Sequence, residues 1–235
     1  VIAIDMDENK EYVILGKGVG FGKKVSQRFD KPEGCTTYRL EQETERGSAK
    51  ELVKGIEPEY LEIADAILTE SQKVFGDSID RGILFPLADH ISFAVARIRR
   101  NEQISNPLTE DIKVLFYSEF KVAETLKTIL RERLQIEIDD HEVGYVALHI
   151  HSAIGDEKVS VAMQTARAVR ECIDMIEKAT GKPIDVLSLS YNRLMNHMKY
   201  MVARASTGEK LNLDMNEYMP VSYTHLRAHE TLMNL

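Results

Sequence analysis

The sequence predicts a multidomain chain in which a small all-β N-terminal domain is followed by all-α helical bundles. Residues 1–30 contain two short strand-like segments, at 1–5 and 11–15, which are separated by a turn and followed by a glycine-rich loop. From about residue 51 apolar residues recur every three to four positions, which is the period of an amphipathic helix. The 235 residues suffice for two or three modest domains.

The composition is that of an ordinary globular protein, with 43% hydrophobic and 29% charged residues. No apolar run approaches the roughly 20 residues that span a membrane, and no signal peptide is visible. Two cysteines, Cys35 and Cys172, indicate that disulfides do not hold the fold together, so a reducing cytoplasm is expected. The net charge of −8 argues against nonspecific polyanion binding by the whole chain but allows a small local nucleic-acid site.

The N-terminal segment is predicted to be a β-hairpin, with strands at 1–5 and 11–15 joined by a turn at 7–10. It leads into the loop 16–24, which has four glycines in seven positions. No Walker lysine and no helix pattern follow, so a nucleotide-binding loop is disfavoured. Because the chain begins at Val1, inside a strand-like segment, we expect residues upstream.

Within this loop, Lys17, Lys23 and Lys24 cluster beside Phe21. A cationic β surface opened by glycines and carrying one aromatic ring can stack on RNA bases. A twisted hairpin with a solvated loop explains the same residues, so both interpretations stay open at this point.

Residues 31–50 are polar and charge-rich and are predicted to be a linker. A helical bundle with short connections is predicted from about 51 to 155. Its helices are expected at 56–74, ending at Gly76, around His90, along one long segment from Pro107 to Leu134, and from a cap at Asp139 or Asp140 through His149. A second helical unit follows from Lys158, with helices at 161–175 and 184–205 separated by a break at 181–183.

Two of these helices each embed a histidine among core residues, His90 and His149, and we expect them to form one site. His197 repeats the setting of His90, with a polar residue before it and an aromatic residue three positions after it. A single histidine on an apolar helix is more often a hydrogen-bonded core residue than a reactive one. Two helices that each embed a histidine in this way favour a functional role for the histidines over a purely structural one.

Metal ligation is the weaker functional interpretation. His149 and His151 diverge by about 200° on a helix and cannot chelate together. His141, Tyr145 and His149 share a face, but no cysteine or His-Glu-x-x-His pattern supports them. His225 and His229 have the spacing of a zinc pair but lie in an anomalous tail. We predict no metal and no cofactor.

Phosphoryl acceptance suits the histidines better. Neutral imidazole is a competent nucleophile near pH 7, and phosphorylation adds nearly two negative charges. Such charge at the seam between packed helices would change how two units dock. Asp89 could orient the ring of His90, and an arginine of the same helix could pair with the phosphate; the candidates are Arg97, Arg99 and Arg100.

Three segments, 14–24, 87–94 and 142–150, together resemble the BglG/SacY/LicT-type bacterial transcriptional antiterminators over about residues 1–220. That family joins a small β co-antiterminator (CAT) RNA-binding domain to two helical phosphotransferase-system regulation domains (PRDs). The resemblance implies four segments: a CAT domain with linker at 1–47, a first PRD at 48–157, an incomplete second PRD at 158–220 and a non-native tail at 221–235.

The resemblance also implies a non-enzymatic regulator whose β domain dimerises and binds a hairpin in a leader mRNA. Gly16, Lys17 and Phe21 match residues that contact RNA. His90 and His149 match the phosphoacceptors of the first PRD, and His197 matches the first of the second PRD. The expected phosphate donors are the phosphocarrier HPr and a sugar-specific permease. In many members, phosphate on the first PRD inhibits and phosphate on the second activates.

The sequence departs from the family in several places, and we expect it to be truncated at both ends. The family's RNA-binding strand with its asparagines would precede Val1, and the second PRD lacks its closing histidine helix. The family commonly has arginine at the position of Lys17, so the charge is kept but the planar fork is lost.

Three other functions remain as alternatives. A PRD-containing DNA-binding activator would need an upstream helix-turn-helix, which the β start disfavours. An enzyme using His90 and His149 as acid, base or metal ligands would need a concave pocket with convergent polar groups. A pure scaffold predicts that both histidines can become glutamine with no consequence beyond stability.

Overall fold

The computed structural model describes residues 1–40, 43–44, 47–155, 157–184 and 188–206. Val1–Lys199 forms one compact unit. A second unit begins at Tyr200, and within it the description covers only the end of the last helix. The predicted non-native tail at 221–235, with His225 and His229, lies outside the described residues.

The N-terminal residues form the predicted antiparallel hairpin of β1 (Ile2–Asp5) and β2 (Lys10–Leu15). A third strand, β3 (Thr36–Arg39), pairs antiparallel with the other edge of β2, so the sheet order is β1-β2-β3. The last three side chains of β2, from Val13 to Leu15, are buried.

The prediction of a linker over residues 31–50 is wrong at β3 and at a short hairpin of β4 (Glu43–Thr44) and β5 (Gly47–Ser48). The polar composition hid β3, whose threonines and arginine keep some exposure while Tyr38 is buried. Backbone pairing explains the strand, because β2 bonds β1 along one edge only and β3 satisfies the peptide groups along the other.

Nine α-helices lie within the described ranges, and two 3-10 turns at Gly76–Ser78 and Arg81–Ile83 connect the second helix to the third. In chain order the helices are α1 (Ala49–Gly55), α2 (Pro58–Phe75), α3 (Leu84–Arg99), α4 (Thr109–Leu115), α5 (Tyr117–Ala123), α6 (Thr125–Leu134), α7 (Asp140–Gly155), α8 (Val159–Thr180) and α9 (Leu189–Ser206).

Several helix ends follow the sequence signals. Pro58 opens α2, where its missing N–H is not needed, and Gly76 ends it with a φ of 64°. The Asp139 carboxylate caps α7 by accepting from the backbone N–H groups of His141 at 3.0 Å and Glu142 at 3.2 Å. Gly181 ends α8 in the left-handed region.

The prediction of one long helix from Pro107 to Leu134 is wrong, because the helix is interrupted at Phe116 and again at Glu124. Phe116 has φ −124° and ψ 47°, and its side chain is 1% exposed. Each short helix buries its own apolar face, so the helical period persists across the turns and hides them. The last helix begins at Leu189 instead of Ile184, which has no regular structure.

The bundle core lies where α2 packs on α3 and α5 packs on α7. The two halves meet because α7 also contacts α2 and α3. None of the helices in the described part of the chain is long and apolar enough to cross a membrane. The largest fully buried side chains of the helical bundle include Phe85, Phe116, Phe120, Ile63, Ile67, Leu84, Leu87 and Ile91.

Candidate functional site

The structure brings His90 of α3 and His149 of α7 together, as predicted. Their ring centroids are 5.3 Å apart at an interplanar angle of 44°, and each residue is only 7% exposed. Tyr145 lies one helical turn before His149, with its ring centroid 5.7 Å from that of His90. The pair therefore lies inside the contact between α3 and α7, where added charge would act directly on helix packing.

Glu142 completes this site and was not recognised from the sequence as a functional residue. It is 3% exposed, and its Oε1 accepts a hydrogen bond from Nη2 of Arg97 at 2.8 Å. Its Oε2 lies 3.5 Å from Nε2 of His90, too far for a good hydrogen bond. A usable signal existed, because Glu142 precedes His149 by two helical turns and so shares its face.

The charge on Glu142 is held by its neighbours. Burial alone raises the pKa of this carboxyl, but His90 and Arg97 act in the opposite direction and bring the pKa below its ordinary value of 4.5. Glu142 is therefore an ionised carboxylate at neutral pH, placed against the ring of His90.

The three candidate arginines have different surroundings. Arg97 is half-buried and reaches Glu142, so it is the arginine that lies within the histidine site. Arg99 is exposed and interacts with Tyr60, and Arg100 pairs with Glu102 at 3.1 Å. Asp89 is half-buried on α3, about 100° around the helix from His90.

The other histidines of α7 have separate neighbours, and for His151 the angle of about 200° from His149 predicts this. His141 places Nδ1 2.7 Å from the Thr109 hydroxyl. His151 lies between the carboxylates of Glu119 at 2.8 Å and Glu157 at 3.2 Å. Among the residues that the structure describes, no group of three or more histidine, cysteine, aspartate or glutamate side chains could hold a metal ion.

His197 lies exposed on α9, whereas His90 is buried. The local repeat between the two sequences therefore predicted a helix in both places, but it did not predict the burial of the ring. Burial depends on what packs over the histidine, and that information is not in the five residues compared.

The glycine loop after β2 presents the predicted RNA-contacting residues at the surface. Phe21 is 92% exposed, and Lys17 is exposed as well. The loop folds as successive turns, in which the carbonyl of Gly18 accepts from the N–H of Phe21 at 2.9 Å. Gly16 has a packing role, because a Cβ there would lie 2.3 Å from Sγ of Cys35.

The sheet is joined to the helical bundle by a half-buried polar contact that sequence reasoning missed. Tyr38 of β3 donates its hydroxyl hydrogen to Asp65 of α2, and Nη2 of Arg81 donates to both the Tyr38 hydroxyl and Asp65 at 2.7 Å. The ring of Tyr38 also packs edge-on against Phe85 at the start of α3. This contact links β3 to the helix that carries His90.

Comparison with known proteins agrees with this architecture. Two family models match the chain, the CAT RNA binding domain over residues 1–47 and the PRD domain over residues 65–153. The solved crystal structure of GlcT CAT-PRDI is similar, with a TM-score of 0.56 and 27% identity, and covers 66% of this chain and 91% of that one. The N-terminal sheet and the helical region are therefore a CAT–PRD arrangement.

Curated relatives extend the likeness along most of the chain. The GlcA/glcB genes antiterminator of Staphylococcus carnosus is 29% identical over 218 residues, which are 91% of this chain and 75% of that protein. The transcription antiterminator LicT of Bacillus subtilis is 24% identical over 208 residues, 88% of this chain and 75% of that protein. These relatives are regulators, not enzymes. With an RNA-binding CAT domain followed by a PRD, the chain belongs to this family of transcriptional antiterminators.

Proposed function

We propose that this protein is a sugar-responsive transcriptional antiterminator that binds a leader-mRNA hairpin and is controlled by phosphorylation of His90, His149 and His197. The observation that carries the proposal is the buried pair of His90 and His149 between α3 and α7, inside the region that matches the PRD model. Phosphorylation there would place charge in a contact that now excludes water.

The RNA-binding part of the proposal rests on the loop after β2. Lys17 supplies charge for the phosphate backbone, and the exposed ring of Phe21 supplies a stacking surface for a base. Gly16 would serve by letting the chain turn closely past Cys35. The β domain is proposed to act as a homodimer, and the cytoplasm is the compartment in which it would meet nascent mRNA.

The control part rests on imidazole chemistry. HPr and a sugar-specific permease of the phosphotransferase system are proposed as the phosphate donors. Because His90 and His149 are each 7% exposed, α3 and α7 must separate before a donor reaches either ring. Phosphorylation would then keep the helices from closing in the same way, which provides the switch.

We propose the domain limits 1–47 for the CAT domain with its linker, 48–157 for the first PRD and 158–220 for a second PRD. The start of α1 at Ala49, the end of α7 at Gly155 and the start of α8 at Val159 support the first two boundaries.

One experiment tests the control mechanism. The chain is incubated with a phosphotransferase relay, and acid-labile phosphate is measured for the wild type and for His90→Ala, His149→Ala and His197→Ala. Loss of label at each substituted position supports the proposal. No label on a folded wild-type chain, while the relay labels a control protein, refutes it.

A second experiment tests RNA binding through a gel-shift titration with leader RNA. Lys17→Gln and Phe21→Ala should each weaken binding about tenfold. The matched controls are Lys73→Gln and Phe93→Ala, which change an exposed lysine of α2 and an exposed phenylalanine of α3. Equal affinity of the loop variants and the controls would exclude the loop as the RNA interface.

A further inference from the structure

Three buried polar atoms around His90 have no hydrogen-bond partner among the residues that the structure describes. They are Nε2 of His90, Oε2 of Glu142 and Nε of Arg97. Nε2 and Oε2 face each other at 3.5 Å, while Nη2 of Arg97 holds the other oxygen of Glu142 at 2.8 Å. Buried polar groups are normally satisfied, so a half-satisfied cluster of charged groups calls for a reason.

We propose that Glu142 occupies the place of a phosphoryl group on Nε2 of His90 and that phosphorylation transfers Arg97 from Glu142 to the phosphate. This inference rests on the proposed phosphorylation of His90. It assigns Glu142 and Arg97 as positioning residues, which act on the phosphorylated ring of His90 without accepting the phosphate themselves.

The group transfer begins from the neutral tautomer of His90 that has its proton on Nδ1, which forms once α3 and α7 separate and Nε2 no longer faces the Glu142 carboxylate. The Nε2 lone pair attacks the phosphorus of a phosphohistidine on the donor protein. A new N–P bond forms and the donor N–P bond breaks. Its electron pair returns to the donor imidazole, which takes up one proton, while Nδ1 of His90 releases one proton to solvent. His90 then carries a phosphoryl group with nearly two negative charges in the space between Nε2 and Oε2 of Glu142.

Glu142 cannot keep its position beside that group. An ionised carboxylate and a phosphoryl group at this separation repel strongly in a buried setting. Glu142 lines a small surface depression with Ile98 and Ile138 that has no room for a water molecule, so the end of α7 must shift before the Glu142 side chain can leave.

Arg97 can exchange partners without being left unpaired. A guanidinium binds two oxygens of a phosphate through its planar fork, and Nε of Arg97 has no hydrogen-bond partner in the described part of the chain. Glu142 belongs to the first turn of α7, so its release acts on the end of α7 that packs near Arg97 of α3. The exchange thus connects the modification to the contact between the two helices.

The test measures phosphorylation of His90 in the full chain by a purified phosphohistidine donor, with peptide mass spectrometry as the readout. Glu142→Gln removes the repelling charge and should raise the phosphorylation rate about tenfold. Glu142→Asp, which keeps the carboxylate, should give a rate closer to that of the wild type. Arg97→Gln should shorten the lifetime of the phosphorylated state about tenfold, because the phosphate loses its partner.

The matched control is another arginine–glutamate pair of the same bundle. Arg131 and Glu137 form an exposed ion pair, with Nε and Oε1 2.5 Å apart, and Arg131→Gln and Glu137→Gln should change neither the rate nor the lifetime. Phosphorus NMR of the 15N-labelled chain should place the phosphoryl group on Nε2. Circular dichroism establishes that each variant is folded.

Phosphate on Nδ1 would overturn the inference, as would equal slowing of phosphorylation by Glu142→Gln and Arg97→Gln, which indicates a merely structural pair. These outcomes leave the proposed function standing. A wild-type chain that accepts no phosphate at His90 would instead refute the proposed function, and the exchange of Arg97 with it.

Discussion

The rings of His90 and His149, on two helices that are distant in sequence, have centroids only 5.3 Å apart. At that distance the charge on one ring acts directly on the other. The ring of His90 also lies beside Tyr145 and Glu142 of α7. A change at either histidine is therefore a change to the contact between α3 and α7.

Phosphorylation of one histidine should inhibit phosphorylation of the other. Two phosphoryl groups at this separation would repel by several kcal/mol in a partly buried site. In a His197→Ala background, intact-mass spectrometry should show mainly chains with one phosphate. A second phosphate added at the same rate as the first would contradict this prediction, and a His149→Ala chain defines the single-site plateau.

Arg81→Ala should destabilise the junction between sheet and bundle. It leaves the buried Tyr38 hydroxyl and Asp65 without their shared donor, so the free energy of unfolding should fall by about 2 kcal/mol in urea titrations. Tyr38→Phe keeps the pair of Arg81 and Asp65 and should cost about 1 kcal/mol. The control is Arg133→Ala, whose exposed contact with Glu62 at 3.5 Å should contribute little. Equal effects of Arg81→Ala and Arg133→Ala would contradict the assigned role.

Gly16→Ala should destabilise the β domain by about 2 kcal/mol, because its Cβ would collide with Cys35. Gly16→Ala combined with Cys35→Ala removes the closest collision and should recover part of the loss. Gly55→Ala is the control, since a Cβ there meets no atom of the described residues within 4 Å. Thermal unfolding of the four proteins measures these differences, and no recovery in the double variant would exclude the collision as the cause.

Glu142 should make the fold sensitive to acid. Its pKa in the folded chain is below the ordinary 4.5, although burial acts against this, because His90 and Arg97 favour the carboxylate. Its ionised form therefore stabilises the fold above about pH 4.5, and that contribution is lost as the pH falls through the folded pKa. Urea unfolding as the pH is lowered from about 4.5 should show a smaller loss in the free energy of unfolding for Glu142→Gln than for the wild type. An equal loss would show that other carboxylates dominate.

Asp111 should behave in the opposite way. Burial raises its pKa above 3.8, and Arg170 opposes this only in part. Its contribution to stability is complete below about pH 3.8 and is lost as the pH rises through the raised pKa. Asp111→Asn should therefore unfold at a higher urea concentration than the wild type at neutral pH, since Tyr191 can still donate to the amide oxygen. The control is Asp174→Asn, which removes a half-exposed partner of Arg170 and should not stabilise. A less stable Asp111→Asn chain would contradict the prediction.

Local signals in the sequence determined much of the secondary structure. Gly76, Asp139 and Gly181 mark helix ends because a left-handed glycine or a capping carboxylate acts within a few residues of itself. The strand at Thr36–Arg39 escaped prediction because its evidence is a hydrogen-bonding partner on another strand. The turn at Phe116 escaped because helical periodicity continues through it.

For the candidate site, too, some features could be predicted from the sequence and others depend on the tertiary structure. The sequence by itself determined that His90 and His149 each lie on the apolar face of a helix, since that depends only on the spacing of residues along the chain. Only the tertiary structure decided that the rings meet, that Glu142 stands between His90 and Arg97, and that His197 is exposed. Those relationships depend on how the helices cross, and crossing is set by the packing of all their side chains together.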